Sequence, residues 1–175
     1  MNKITVSAPG KLMLLGEHAV VYNHPCIVTA VGERMRATVE VLDSLEFQLE
    51  AEDVRITGYK KPLSDLGKGD IPKGAKFVEI AVRNILEKHS LKSGLRITTK
   101  SEFSSQFGFG SSSASTVCIV KGVSEILGFK LSQKWGSKSW KRTATRIIPL
   151  AARMVVRIIR NTLAADFILL LVYTD

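Results

Sequence analysis

The chain has 175 residues, long enough for one ordinary domain with a real core and short for a two-lobed enzyme, so one compact unit is expected. Apolar residues make up 45%, but no uninterrupted apolar run approaches the roughly 20 residues of a spanning helix, and MNKITVSAPGK at the start has no apolar stretch of secretory length; neither a membrane span nor a signal peptide is expected, and the setting is cytoplasmic. The net charge of +9 does not argue for nucleic acid, because residues 126–175 hold nine Lys or Arg against two Asp, whereas the first 125 hold 16 basic and 14 acidic residues.

KITVSA (residues 3–8) reads as a short strand. PGKLMLLGEHAVVY (9–22) reads as a loop whose lysine, glutamate and histidine among leucines and valines suggest a buried polar site, with the leucines seating it in the core. CIVTAV (26–31) and RMRATVEVL (34–42) are β-branched runs consistent with a strand pair, and LEFQLEAEDVRITGY (45–59) alternates as a hairpin does. Residues 60–76 gather Pro62, Gly67, Gly69, Pro72 and Gly74 among charges, the composition of a loop. Over 75–89, Phe77, Val78, Ala81, Val82, Ile85 and Leu86 follow helical spacing, and Gly94 comes shortly after. GLRITTKSE (94–102) is a further strand, and Val117, Val120, Val123 and Leu127 mark one face of a second helix that Gly128 is placed to stop. No internal repeat is apparent, and the order of elements gives an α+β class. Cys26 and Cys118 have no second thiol or histidine at metal spacing and read as buried free thiols.

The end of the chain differs in composition. No glycine follows Gly136, Arg153, Arg157 and Arg160 share one helical face, and Pro149 argues against a continuous helix from Thr143. DFILLLVY (166–173) would limit solubility unless it meets a partner surface.

GFGSSSAS (108–115) joins the last strand to the second helix. The first N–H groups of a helix are unpaired and the macrodipole is positive there, so a loop of small residues makes an anion site; glycines let the backbone approach a phosphate and hydroxyls add donors or a metal ligand. A serine-rich helix cap is the other reading of the same residues. The pattern is neither a Walker A loop nor a dinucleotide fingerprint.

Taken together, APGKLMLLGEHAVVY (8–22) and GFGSSSAS some ninety residues later resemble the two N-terminal signatures of the GHMP kinases, the group of galactokinase, homoserine, mevalonate and phosphomevalonate kinases. GEHAVVY after PGK is most similar to the mevalonate kinases, and the likeness covers about residues 3–133. The resemblance implies an α+β GHMP-kinase N-terminal domain, a ribosomal-protein-like β-α-β two-layer fold, over 1–133 with the C-terminal domain missing. It implies transfer of the γ-phosphoryl group of ATP, with Mg²⁺, to the 5-hydroxyl of mevalonate. By motif match Lys11 is the catalytic cation and Ser101, Gly108, Phe109, Gly110, Ser111 and Ser112 bind the nucleotide, with Ser112 also the metal ligand. His18 would contact the substrate, and Glu17 would orient Lys11 or a metal-bound water. A solvated turn lysine, a satisfied structural histidine and a loop-capping glutamate are the plainer readings of the three. His24 and His89 read as surface residues.

The pattern departs from the family at FSSQF (103–107), where Gln106 replaces a residue that is commonly glycine, so a stiffer loop is expected. The only acids after Gln133 are Asp166 and Asp175, neither in a matching motif, so no catalytic aspartate carries over. Residues 134–175 read as an atypical basic and apolar remainder, frame-shifted or truncated, and an incomplete kinase is expected. A non-catalytic ATP-binding remnant and another GHMP small-molecule kinase are the alternatives. A contact of the arginine face with RNA or an anionic membrane ranks below them, since only Trp135 and Trp140 interleave the tail's charges. The expected partner is a small molecule, with no nucleic acid and with room for a homodimer.

Overall fold

The computed structural model describes residues 2–16, 18, 27–105 and 108–129. Strands β1 (Lys3–Leu15) and β2 (Ile27–Leu42) form a long antiparallel pair. β3 (Glu46–Ala51) and β4 (Ile56–Pro62) form a hairpin closed by a 3-10 turn, Glu52–Val54. Helix α1 (Lys76–Leu86) leads to β5 (Gly94–Ser101), and helix α2 (Ser111–Ile126) follows. The five strands make one sheet in the order β1-β2-β5-β3-β4. β3 and β5 run parallel, with Phe47 opposite Leu95 and Leu49 opposite Ile97. A parallel pair needs a crossover, and the hairpin strand β4 with α1 supplies it. This is the two-layer α+β arrangement expected from the sequence.

Alternate residues of the central strands point to a single core. Phe47, Leu49, Leu95 and Ile97 from the sheet meet Val82 and Ile85 of α1 and Ile119 and Val123 of α2, all fully buried. Each such side chain contributes about 1.5–3 kcal/mol by leaving water. α2 sits so close to the sheet that a Cβ on Gly122 would lie 2.6 Å from Val39 Cγ2. The opposite face of the sheet is polar and solvated, with Thr5 bonded to Thr38 at 2.9 Å and Arg36 paired with Glu102 at 2.8 Å.

Residues 63–75 are tied down by a buried carboxylate. Glu79 of α1 is fully buried and accepts from Tyr59 Oη at 2.6 Å, Lys61 Nζ at 2.9 Å and the Gly67 amide at 2.7 Å. Burial pushes the Tyr59 hydroxyl up, and Glu79 adds to the shift. For Lys61 burial acts downward, yet its bond and charge contact with Glu79 prevail and raise it. Cys118 is buried as expected and donates its S–H to the Met35 carbonyl oxygen; burial pushes its thiol up to about 12.

Two readings of the sequence are corrected. Residues 9–15, expected as a loop, continue β1: Pro9 faces Arg34 and Lys11 faces Ala30, so the ladder shifts register at Gly10 and resumes. Proline and glycine signal a turn in sequence, but in a long pair they mark a bulge. Two of the three leucines of this stretch point to solvent, Leu14 being 50% and Leu15 65% exposed, and Leu12 is half-buried. β2 gains its second neighbour, β5, only from Met35 onward, so the outer parts of β1 and β2 form a two-stranded arm. The two runs read as a strand pair from 26 to 42 are one strand, β2. Among the described residues no helix is long and apolar enough to cross a membrane. Glu17, Cys26, Gln106, the boundary at 133 and the whole of 134–175 lie outside the described residues.

Candidate active site

The site is built where β1 kinks against the start of α2. At Gly10 a Cβ would come within 2.8 Å of Val31 Cγ2 and 3.0 Å of Phe103 Cε1, so only glycine lets the loop before α2 close on the strand. Phe103 and Phe109 pack edge to face, ring centroids 6.0 Å apart. The Lys11 amide then donates to the Phe109 carbonyl oxygen at 2.8 Å, which fixes β1 to the loop one residue before the helix cap.

Gly108 and Gly110 both have φ of 71°, the left-handed region that favours glycine. Gly110 is the N-cap of α2, no side chain caps the helix, and no acid lies in its first turn. Lys11 lies directly over this cap: a Cβ on Gly110 would come within 2.8 Å of both Lys11 Cγ and Cε. A cation beside the positive end of a helix repels it in isolation, but both attract a polyanion. The aliphatic chain of Lys11 therefore crosses the uncapped start of the helix.

Behind the helix start lies a cavity of about 640 Å³. Ser111, Ser112 and Ser115 of α2 line it. Val54, Phe77 and Val78 supply apolar walls, and Arg55 and Lys73 stand on the same walls. Gly74 brings two of these segments together, since a Cβ there would lie 2.9 Å from Val54 Cγ2. Arg55 is the one non-glycine residue with positive φ among the described residues, at 59°. Asp53 and Thr99 complete the polar lining. Withdrawal from water lifts the Asp53 carboxyl above the usual carboxylate range, against hydrogen bonds from its own amide and the Thr99 hydroxyl. The volume and the mixture of apolar walls with a few polar groups suit a small organic ligand.

The structure thus joins Lys11, Gly108, Phe109, Gly110, Ser111 and Ser112. The Ser112 carbonyl oxygen is engaged by the hydroxyls of Ser115 at 3.1 Å and Thr116 at 2.8 Å. Ser101 ends β5 outside the cavity lining, and its hydroxyl donates to the Phe103 carbonyl oxygen at 2.6 Å while accepting from the Phe103 amide at 3.2 Å. His18 lies in a turn and is exposed. Asp53, Arg55, Lys73, Phe77 and Thr99 line the cavity and were missed by sequence reasoning. The left-handed Arg55 and the acid two residues before it carried no recognisable motif, and only the sheet order brings them to α2.

Comparison with known proteins bears on the sequence and the overall fold. The sequence model described as GHMP kinases N terminal domain matches residues 76–142. A mevalonate kinase of Pyrococcus furiosus is 31% identical over 148 residues, covering 81% of this chain and 44% of that protein. The chain therefore spans under half the length of this relative. The crystal structure of the Methanococcus jannaschii mevalonate kinase superposes with a TM-score of 0.79 at 23% identity, covering 91% of this chain and 51% of the other. A Lactococcus lactis galactokinase complexed with galactose superposes with a TM-score of 0.71 at 14% identity over 82% of this chain and 38% of that one, so the fold alone does not choose the substrate. Residues 76–142 therefore match the GHMP kinases N terminal domain, and over most of its length the chain is similar to mevalonate kinases in sequence and in fold.

Proposed function

We propose that this chain forms the ATP-holding part of a kinase of the mevalonate kinase type, which moves the γ-phosphoryl group of ATP to the 5-hydroxyl of mevalonate. The observation that carries the reading is Lys11 lying over the uncapped start of α2. In this reading the amides of the first turn and the hydroxyls of Ser111 and Ser112 hold the phosphates, and the rest of the nucleotide enters the cavity. The Lys11 ammonium offsets the charge on the attacking oxygen and the transferring group, where little water competes. His18 and Glu17 contact the substrate, and Ser101 supports the nucleotide loop.

Mg²⁺ supplies charge neutralisation on the phosphates when it is bound. Ser112 would hold it through its hydroxyl, and no group of three acidic, histidine or cysteine side chains able to grip a metal occurs among the described residues. That donor set fits a metal carried in on the nucleotide, whose phosphate oxygens provide most ligands. The small, water-soluble substrates of the reading fit a cytoplasmic setting.

The test pairs an ATP titration with an ADP-release assay on ATP and mevalonate. ATP should bind, and Lys11→Met should lower turnover about 10²–10³-fold, the usual loss when one group that stabilises transition-state charge is removed. A folded chain that fails to bind ATP overturns the proposal. Binding without turnover is the second reading, and the same pair of measurements separates the two.

A further inference from the structure

We propose that Ser101 and Phe103 are positioning residues: the Ser101 hydroxyl sets the Phe103 backbone, the Phe103 ring fixes Phe109, and the Phe109 carbonyl oxygen holds Lys11 over the start of α2. The inference rests on the nucleotide reading above for what Lys11 does there, and it gives the Ser101 hydroxyl a task other than touching the nucleotide. The chain leaves β5 under tight control. The Glu102 amide donates to the Arg34 carbonyl oxygen at 3.0 Å and its carboxylate accepts from the Arg34 amide at 2.9 Å, so β2 fixes the end of β5. The Ser101 hydroxyl bonds both backbone groups of Phe103, at 2.6 Å to the carbonyl oxygen and 3.2 Å from the amide. A serine spent in this way closes a local turn. The Phe103 side chain that follows is buried in the core. Its ring edge takes the place that a Cβ on Gly10 would need, with Cε1 3.0 Å and the Phe109 carbonyl oxygen 3.3 Å from that point. The Phe109 ring meets it edge to face, the arrangement that aromatic pairs favour.

The hydrogen bond from the Lys11 amide to the Phe109 carbonyl oxygen, 2.8 Å, carries this support to β1. β1 is the end strand of the sheet and its ladder shifts register around Gly10, so strand pairing alone sets Lys11 loosely. Phe109 also immediately precedes Gly110, the cap that the Lys11 chain crosses. One residue thus places both the helix start and the lysine, and a misplacement of about 1 Å between reacting groups costs on the order of 10²-fold in rate. Ser101 lies outside the cavity lining, which suits support better than contact. Phe103 opens FSSQF, where the sequence departs from the kinase pattern that it resembles, so this support is read from the chain's own residues.

The experiment follows amide hydrogen exchange in the nucleotide-free full chain and its variants, then titrates each with ATP. In Ser101→Ala and Phe103→Leu the Lys11 amide should exchange about tenfold or more faster, while the amides of Leu95 and Ile97 at the sheet centre stay within about threefold of the natural rate. ATP should bind about tenfold more weakly to both variants. Phe103→Leu keeps the position apolar so that the chain still folds, and Ser101→Thr, which keeps the hydroxyl, should restore both values. If Ser101 touches the nucleotide instead, Ser101→Ala weakens ATP binding with Lys11 exchange unchanged, which overturns the inference while the nucleotide site stands. A rise shared equally by Leu95 and Ile97 marks general loosening and overturns it too. If the natural chain binds no ATP, the functional reading itself falls and this inference falls with it.

Discussion

At the scale of single residues, the site depends on two glycines whose missing side chains make room for others. Gly110 has both a left-handed backbone and the Lys11 chain against it. Gly110→Ala should therefore lower stability by about 1–2 kcal/mol through strain and displace the ammonium, weakening ATP binding about tenfold or more. Chemical denaturation and calorimetric titration give the two numbers separately; full affinity in the variant would show that the position of Lys11 is irrelevant. Lys11 and the Gly108–Ser112 string were legible in sequence because their chemistry is local: small residues at a helix start and a lysine in a fixed context. Asp53, Thr99 and Phe77 were not, since each is ordinary in its own segment and acquires meaning only beside the others.

At the scale of elements, α1 and the segment before it are held by one carboxylate. Glu79 has no contact with water, while the Lys61 side chain keeps 16% exposure and also donates to the Lys68 carbonyl oxygen at 2.7 Å. Glu79→Gln leaves a cation that can still turn to solvent, and a loss of about 3 kcal/mol is expected from breaking such a pair. Lys61→Met leaves the anion with no route to water, so it should cost more than Glu79→Gln in the same urea denaturation series. The reverse order would mean that packing, not charge, anchors the segment. The sequence carried the helix through its 3.6-residue spacing, with Val78, Ala81, Val82 and Ile85 buried. It misled over β1, because Pro9 and Gly10 look the same in a bulged strand as in a turn, and the distinction lies in the partner strand.

At the scale of the whole molecule, protection is uneven. The sheet centre is covered by two helices, whereas among the described residues the strands of the arm made by residues 11–15 and 27–30 pair only with each other, burying Val28 but exposing Leu14 and Leu15. Two-stranded pairs are marginal in water, so amide hydrogen exchange in the arm should outpace that of β5 by orders of magnitude. Equal protection in both would show that something covers the arm. Lys11 stands at the root of this arm, its amide held by the Phe109 carbonyl oxygen, while the serines sit on a helix packed against the core.

The parallel pairing of β3 with β5 bears on how the chain reaches this form. Phe47 and Leu95 are adjacent in the sheet yet far apart along the chain, and the cavity walls meet only after that distant closure. Closing so long a segment costs entropy before any contact repays it, which places refolding in the slower range, milliseconds to seconds, typical of non-local β topologies. A small ligand that needs those walls should therefore bind only once the distant closure is complete.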